Sequence, residues 1–575
     1  MKTREWLFHT AEPEAIDRLV KSLGVSPVTA QILIARGITD ANEARNFLNP
    51  DLSQLNNPFL LRDMDKAAMR VATAIRGGEQ IRIHGDYDAD GITATTLLVS
   101  FLRQFGANVD YHLPHRLEDG YGLHMDAVEK AAADGVSLMI TVDCGITAFE
   151  EARRCRDLGL DLVITDHHEP HNVMPDAMAV INPKRRDSAY PFHNLAGVGV
   201  ALKLARAIEL TLAGHLTDGT MISEYLDLAA FGTIADVMPL LGENRVIVRN
   251  GLEGISSAKR PGMAALLATS GLSGKKISSW NVAFGLAPRI NAAGRLASPE
   301  LGISLFLTDS PDEAYQIAET LNSINQERQA VESEILQQAL AKIETEGDMS
   351  SQKAIVLAQE GWHPGVIGIV ASRLVEIFHR PAILISIDGD EGRGSGRSIP
   401  GFDLYQALND CRETLIGFGG HELAAGLTIR AQDIGVFTRR FLETADSRIP
   451  WDLIRPPKLY VDAVASLEEI SEGLASEMEL LSPFGAGNPA PVVAVKNVKV
   501  LEYRQIGADG KHIRMRVGDG DQIRDVIGFG MGDRAQDLYR LGGGTLDIAF
   551  CPEINEWNGT RNVRLNAKDF LASQG

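Results

Sequence analysis

The chain has 575 residues, of which 45% are hydrophobic and 23% charged, with a formal net charge of −20. That length suggests about four domains with several buried cores, and the composition is ordinary for a globular protein. The acidity counts against a protein that coats duplex nucleic acid by charge alone. It leaves room for an enzyme with a locally basic groove, because carboxylates that ligate metal are neutralised by their ions. No run of eighteen apolar residues occurs, and the start, Met1-Lys-Thr-Arg-Glu-Trp6, lacks an apolar signal region, so neither membrane insertion nor secretion is expected. Cys144, Cys155, Cys411 and Cys551 form no CxxC pair. They read as free thiols in a reducing compartment, and the cytoplasm is the expected location.

Residues 1–75 read as a helical cap on the first domain. Ser26-Pro-Val-Thr begins an apolar helical stripe that Gly37 ends, and Asn49-Pro-Asp-Leu-Ser53 breaks regular structure. From 76 to 245 strands and helices alternate: strands at 79–84, 108–113, 137–142 and 161–165, helices at 91–106, 124–135 and 147–158. This predicts a mainly parallel sheet covered by helices. Three strand ends carry ligand-type side chains. Ile81 and Ile83 lead into Asp86, Asp88 and Asp90; 138–142 runs into Asp143; 162–165 runs into Asp166, His167 and His168. A single Asp after a strand is normally a turn residue or a helix cap. Three such endings in successive β-α units point to a metal site at the sheet edge where ligands sit. Carboxylate with imidazole suits Mn²⁺ or Mg²⁺ better than a structural zinc. Helix N-termini after those strands could also face a phosphate.

The stretch Pro114 to Gly122 reads as a site loop, with Arg116 either a phosphate fork or a solvated surface arginine. Asn182-Pro-Lys-Arg-Arg186 reads as a solvated basic turn. A helical stretch begins at Leu195, and Asp227 to Asp236 returns toward the site before Pro239 stops it.

Residues 246–350 are helix-rich. They end in a long connecting helix over 312–346, roughly 50 Å at 1.5 Å per residue. Residues 351–447 form a second α/β unit, with strands at 354–358 and 381–387. Two glycine-rich pieces, Gly392 to Ser398 and Gly417 to Gly426, could bring backbone N–H groups close to an anion or could simply be turns. Pro450, Pro456 and Pro457 mark a linker. Residues 458–575 show short β-like runs at 492–495, 498–503, 512–517, 525–529 and 546–550, the spacing of a small barrel. Tyr503, Arg504, Lys511, Arg514 and Arg516 there mix aromatic and basic character as single-strand platforms do, or line an exposed strand face.

The residues His84-Gly-Asp-Tyr-Asp88-Ala-Asp90, Asp143, Asp166-His-His168, and Asp236 in Gly232-Thr-Ile-Ala-Asp236, resemble the four motifs of the DHH phosphoesterase superfamily. Over nearly its whole length the chain resembles the RecJ family of single-strand-specific DNA exonucleases within it. The resemblance implies a DHH parallel-sheet domain joined by a long helix to a DHHA1 α/β domain, with a C-terminal OB-like barrel. It implies two Mn²⁺ or Mg²⁺ ions held by His84, Asp88, Asp90, Asp143, His167 and Asp236, with Asp143 bridging. Asp86 is an extra carboxylate that either ligates or orients a ligand, and His168 orients a ligand or touches the phosphate.

Pro288-Arg-Ile-Asn-Ala-Ala-Gly-Arg295 matches a signature of this family and assigns Arg295, and less directly Arg289, to phosphate. Gly419-Gly420-His421 resembles the DHHA1 substrate motif, so that Ser395, Arg397 and His421 hold phosphate opposite the metals with Arg116 and Arg295. Ser482 to Pro489 matches too, without a physical account from the residues alone. The implied activity is 5′→3′ exonuclease action on single-stranded DNA in recombination and repair. A single-strand-binding protein and a RecQ-type helicase are the implied partners, and a monomer is expected. One alternative is a DHH phosphodiesterase for short oligonucleotides or cyclic dinucleotides, though such relatives are usually shorter and lack the OB-like tail. The other is a non-catalytic scaffold, which the intact set of Asp88, Asp90, Asp143, His167 and Asp236 opposes.

Overall fold

The computed structural model describes residues 4–116, 119–213, 221–346, 351–454, 458–557 and 560–573. Leu117 and Glu118 of the expected site loop, and Pro456 and Pro457 of the expected linker, lie outside the described residues. A short strand β1 (Trp6–Phe8) precedes the first sheet, which is formed by β2 (Gln80–His84), β3 (Asn108–His112), β4 (Leu138–Val142), β5 (Asp161–Thr165) and β6 (Ala179–Ile181). All five strands are parallel, in the order β3-β2-β4-β5-β6. The chain moves outward from β2 in both directions, so the crevice above β2 and β4 is the switch point where an open sheet receives its ligand. Every residue of β4 is buried, as expected of a strand covered on both faces. β6, only three residues long, escaped the sequence reading. The helix expected to begin at 91 starts at Ala89, because Asp88 caps it.

The core of this sheet runs straight through the expected boundary at 245. Ile247, Val248, Met263, Ile290, Ile303 and Leu321 are buried in the same cluster as Ile81 and Ile140. The Pro311–Glu346 helix, 36 residues and about 54 Å long, leaves this core at Leu321. Its second half presents Ile335, Ala339 and Ile343 to Ile367 and Val370 of the next unit.

That unit has β7 (Ile355–Glu360), β8 (Ala382–Asp388), β9 (Glu391–Arg397), β10 (Gly417–His421) and β11 (Ala424–Arg430), ordered β10-β11-β9-β8-β7. Only β7 and β8 are parallel. The two glycine-rich pieces are thus antiparallel strands rather than phosphate-wrapping turns. The glycines of β9 are explained by packing: a Cβ on Gly394 would come within 2.7 Å of Leu427, and one on Gly396 within 2.9 Å of Leu404, whereas Gly417 and Gly419 of β10 have open space beside them.

After β12 (Leu459–Val461) and β13 (Ala463–Val464) come the barrel strands β14 (Val493–Ile506), β15 (His512–Asp519), β16 (Gln522–Gly528), β17 (Thr545–Trp557) and β18 (Thr560–Ala572). β17 pairs back onto β14, closing five strands. The separate runs expected at 492–495 and 498–503 are one strand with a register shift between Val495 and Val498. The N-terminal cap does not sit where it was expected. Leu19, Val28, Ile32 and Leu33 share a core with Val495, Met515 and Phe550 of the barrel, and β1 pairs with β12. The Met64–Gly77 helix enters the core of the first sheet, together with Leu61, while Leu52, Leu55 and Phe59 pack against it.

Candidate metal centre

The ends of β2, β4 and β5 bring their carboxylates and imidazoles together as the alternation predicted. Three groups of ligand atoms, each within 4.8 Å of one another, overlap: Asp86, Asp88 and Asp143; Asp90, His167 and Asp236; Asp143, His167 and His168. Asp143 belongs to two of the groups, and so does His167, as a pair of adjacent ion positions requires. Among the described residues, His84 joins none of the three. Its ring is fully buried, stacked on His112 at 5.3 Å, with Nε2 3.2 Å from the Gly122 carbonyl.

The electrostatics are those of a cation site. Asp143 Oδ1, Asp86 Oδ1 and both ring nitrogens of His167 are buried without a hydrogen-bond partner. His167 Nε2 lies 3.1 Å from Asp143 Oδ1 and 3.6 Å from Asp236 Oδ2. Burial, then repulsion from Asp88, lifts Asp86 well above the usual carboxylate range. Burial and the neighbouring aspartates do the same for Asp90 and Asp143, and push Asp236 up to about 7. Burial drops His167 to about 3, so it stays a neutral, ligand-competent imidazole. Buried acids in mutual repulsion beside orphaned donor atoms fit one or two divalent ions.

Each side chain is fixed by the local chain. Asp88 caps the Ala89–Gln104 helix, accepting from Asp90 N and Gly91 N at 2.9 and 3.0 Å. Asp90 accepts from Gly197 N and Val198 N at 2.7 and 2.9 Å, at the start of the Gly197–Leu212 helix. Asp143 sits at φ 62°, an uncommon conformation outside glycine that aims it into the crevice. Asp166 points away from the ions and organises the turn instead. It accepts from Ile146 N, His167 N and His168 N, and holds His168 Nδ1 at 2.8 Å. Burial opposes the charge on His168, but the Asp166 hydrogen bond and charge outweigh it and raise the imidazole to about 9.

Across the crevice stand the expected phosphate residues. Arg116 stacks over Tyr87 at 5.0 Å. Arg295 donates to the Gly365 carbonyl at 2.9 Å; burial, then repulsion from Arg116, Arg397 and Arg328, pulls it down to about 9. Arg397 donates to Ser395 Oγ at 3.1 Å. His421, at the end of the exposed Gly419-Gly420-His421 strand, is lowered by burial and then by Arg397 and His168. Arg289 is turned elsewhere, donating to Asn322 Oδ1 at 3.1 Å and to the Gly285 carbonyl.

Sequence reading missed three supports. Asn291, inside the Pro288 to Arg295 motif, accepts the Ala89 N–H at 2.8 Å, and a Cβ on Gly294 would come within 2.8 Å of the Tyr87 carbonyl. The basic turn at 182–186 is solvated only in part: Arg186 is exposed and Lys184 half-buried, but Asn182 and Arg185 are buried. Asn182 donates to the His168 carbonyl at 2.8 Å, while Arg185 is buried on Asp63 and Asp187. The Ser482 to Pro489 segment now has a role: the Ala486 carbonyl accepts Leu240 N at 2.8 Å, and Asn488 donates to the Leu481 and Pro483 carbonyls, docking the barrel beside the Asp236 segment.

In the barrel the expected platform is split. Arg504 faces Arg514 and Glu502 faces Arg516 across β14 and β15, whereas Tyr503 pairs with the core residue Met515. Arg514 reaches Asp525 at 3.1 Å and Lys511 reaches Asp509 at 3.1 Å.

Family models match in the same order: the DHH family N-terminal domain at 80–233, the DHHA1 domain at 351–447 and the RecJ OB domain at 461–569. The single-stranded-DNA-specific exonuclease RecJ of Bacillus subtilis is 40% identical over 571 residues, 99% of this chain and 71% of that protein. A crystal structure of RecJ from Thermus thermophilus in complex with Mn²⁺ superposes with a TM-score of 0.85 at 32% identity, covering 100% of this chain and 81% of that one. The same protein in complex with Mg²⁺ gives 0.76 at 28% identity, covering 99% and 79%. No helix among the described residues is long and apolar enough to cross a membrane.

Proposed function

The chain belongs to the RecJ family of single-stranded-DNA-specific exonucleases, and from that premise we infer how its own residues degrade a strand. It is a hydrolase of single-stranded DNA that uses Mn²⁺ or Mg²⁺. The observation that carries the reading is the chain of overlapping ligand groups, two sharing Asp143 and two sharing His167, with Arg116, Arg295 and Arg397 clustered beside them. Asp86, Asp88 and Asp143 would hold one ion, and Asp90, His167 and Asp236 the other. A divalent pair there supplies an acidified water and neutralises charge on the attacking and leaving oxygens.

The protein's part is placement. Arg295 and Arg397 offer planar forks to a terminal phosphate, with Ser395, His421 and the backbone of Gly419 and Gly420 beside them. His168, tethered by Asp166, serves the phosphate rather than the ions. His84 supports the β2 end from the Gly122 carbonyl instead of ligating. With the phosphate gripped opposite the ions, a strand would be shortened stepwise in the 5′→3′ direction. Recombination and repair are the processes that need such an enzyme, in the cytoplasm; the four buried free cysteines accord with a reducing compartment. The enzyme would work as a monomer with a single-strand-binding protein and a RecQ-type helicase. Arg504, Lys511, Arg514 and Arg516 on the barrel, with Tyr503 on the adjoining face, would contact the strand away from the cut.

The test is release of acid-soluble nucleotides from a single strand and from its duplex, with Mn²⁺ and with EDTA. Release from the single strand alone, abolished by EDTA, is expected. Degradation of only very short oligonucleotides would instead favour the phosphodiesterase alternative.

A further inference from the structure

Trp280 and Phe284 are 65% and 66% exposed, with ring centroids 5.4 Å apart. Two large aromatic side chains packed against each other in solvent, their planes tilted by 34°, are unusual, because such rings normally bury their area. Trp280 immediately precedes, and Phe284 lies within, a π-helical turn, Asn281–Leu286, a local geometry that occurs mostly at functional sites. The Ala287–Leu296 helix follows directly and carries Arg295 in its last turn, at the phosphate end of the crevice. Phe284 lies eleven residues before Arg295, a rise of about 16 Å, or on the order of three to five nucleotides.

The surrounding charge points to the occupant. The chain carries 76 acidic against 56 basic residues, yet between Glu253 and Glu300 there is no Asp or Glu at all. The same segment holds Lys259, Arg260, Lys275, Lys276, Arg289 and Arg295. Lys275 and Lys276, both exposed, stand just before the aromatic pair. A lysine-bearing segment with no acid of its own, Lys276 reaching Glu479 at 3.3 Å, and with a pair of exposed rings, continuous with the phosphate arginines, fits a polyanion with flat bases.

We propose that Trp280 and Phe284 form a base-stacking step for the single strand, a few nucleotides from the phosphate gripped by Arg295. The step is separate from the metal centre and lies beside the barrel unit, where Ser279 donates to the Phe484 carbonyl. It rests on the reading of this chain as a single-strand nuclease and adds a second, base-directed contact to it. Stacking is indifferent to base identity, so the step would lengthen the bound segment without imposing a sequence.

The test compares the full-length wild type with the Trp280→Ala/Phe284→Ala double variant on oligonucleotides of 3 and about 20 nucleotides in Mn²⁺. Both residues are exposed, so the fold should hold, and a matching thermal melt checks it. Trp280→Tyr, which keeps a ring, should behave as wild type. The expected result is a KM for the long strand raised about ten- to a hundredfold, with kcat and trinucleotide turnover unchanged. Abasic sites placed three to five nucleotides from the cleaved end should reproduce that loss in the wild type. If the wild type cleaves but the double variant matches it at both lengths, the inference is overturned and the nuclease reading stands. If the wild type cleaves nothing, the nuclease reading falls. Binding of the long strand in EDTA then decides the inference, weakened binding by the double variant supporting it and equal binding overturning it.

Discussion

Asn291 accepts the backbone N–H of Ala89 through its side-chain oxygen at 2.8 Å, across 202 residues of chain. This bond pins the loop that carries Asp86 and Asp88 against the helix that carries Arg295, so metal side and phosphate side move as one body. Replacing Asn291 by Ala leaves a buried donor unmet and should cost about 1–3 kcal/mol in denaturant unfolding. Activity should fall further than stability at 25 °C, because both halves of the site lose register. Asn291→Asp keeps the acceptor and should retain most of both.

A glycine tests the ligand geometry from behind. A Cβ on Gly197 would lie 2.4 Å from Asp143 Oδ1, too close for either group to stay in place. Gly197→Ala should weaken Mn²⁺ binding about 10–100-fold, the usual range when groups that position ligands are disturbed. Titration calorimetry on the variant and wild type measures this directly. Unchanged affinity would mean that Asp143 is not a ligand.

Metal removal should show a pH signature. Asp86, Asp90, Asp143 and Asp236 are held above the ordinary range by burial and mutual repulsion, Asp236 at about 7. An acid whose folded pKa is raised binds protons more readily folded than unfolded. Its contribution therefore favours folding at low pH and is lost as pH rises from about 4 through the folded value. In EDTA the melting temperature should drop between pH 5 and pH 8, and Mn²⁺ should restore it most at the upper end, where the site is most charged.

The phosphate side is tested by charge-preserving change. Arg397 donates to Ser395 Oγ, and a Cβ on Gly368 would come within 3.1 Å of its guanidinium, so the fork is closely packed. Arg397→Lys keeps the charge but loses the planar pair of donors. KM for a 5′-phosphorylated strand should rise about tenfold, with a smaller effect on a strand lacking that phosphate. Equal effects on the two strands would remove Arg397 from phosphate binding.

The parts of the fold that were legible in sequence are those with strong periodicity. β2, β4 and β5 are apolar runs ending in ligand residues, and their boundaries fall within a residue or two of those expected. β6 has three residues and no such ending, too little pattern to read. β9 and β10 were hidden because glycine is depleted in strands; in β9 its lack of a side chain is what lets Leu427 and Leu404 pack close. The N-terminal helices were assigned to a neighbour in sequence, but Leu33 and Phe550 belong to one core although most of the chain separates them, and no local signal reports such a core.

At the site, residue type identified Asp88, Asp90, Asp143, His167 and Asp236 as candidates, and the structure gathers them. His84 carries the same chemistry and spacing, yet its ring turns to Gly122 and His112, a choice made by packing after the strand has ended. Arg185 looked solvated because its partner Asp63 is far away in sequence.

The most direct test of the account uses 5′-phosphorylated single-stranded DNA labelled at its 3′ end, incubated in Mn²⁺ with the wild type and with Asp143→Ala. A ladder of progressively shortened labelled strands is expected for the wild type and none for the variant or in EDTA. Immediate release of the label as a mononucleotide from otherwise full-length strands would contradict the polarity, and a ladder from Asp143→Ala equal to that of the wild type would contradict the metal centre itself.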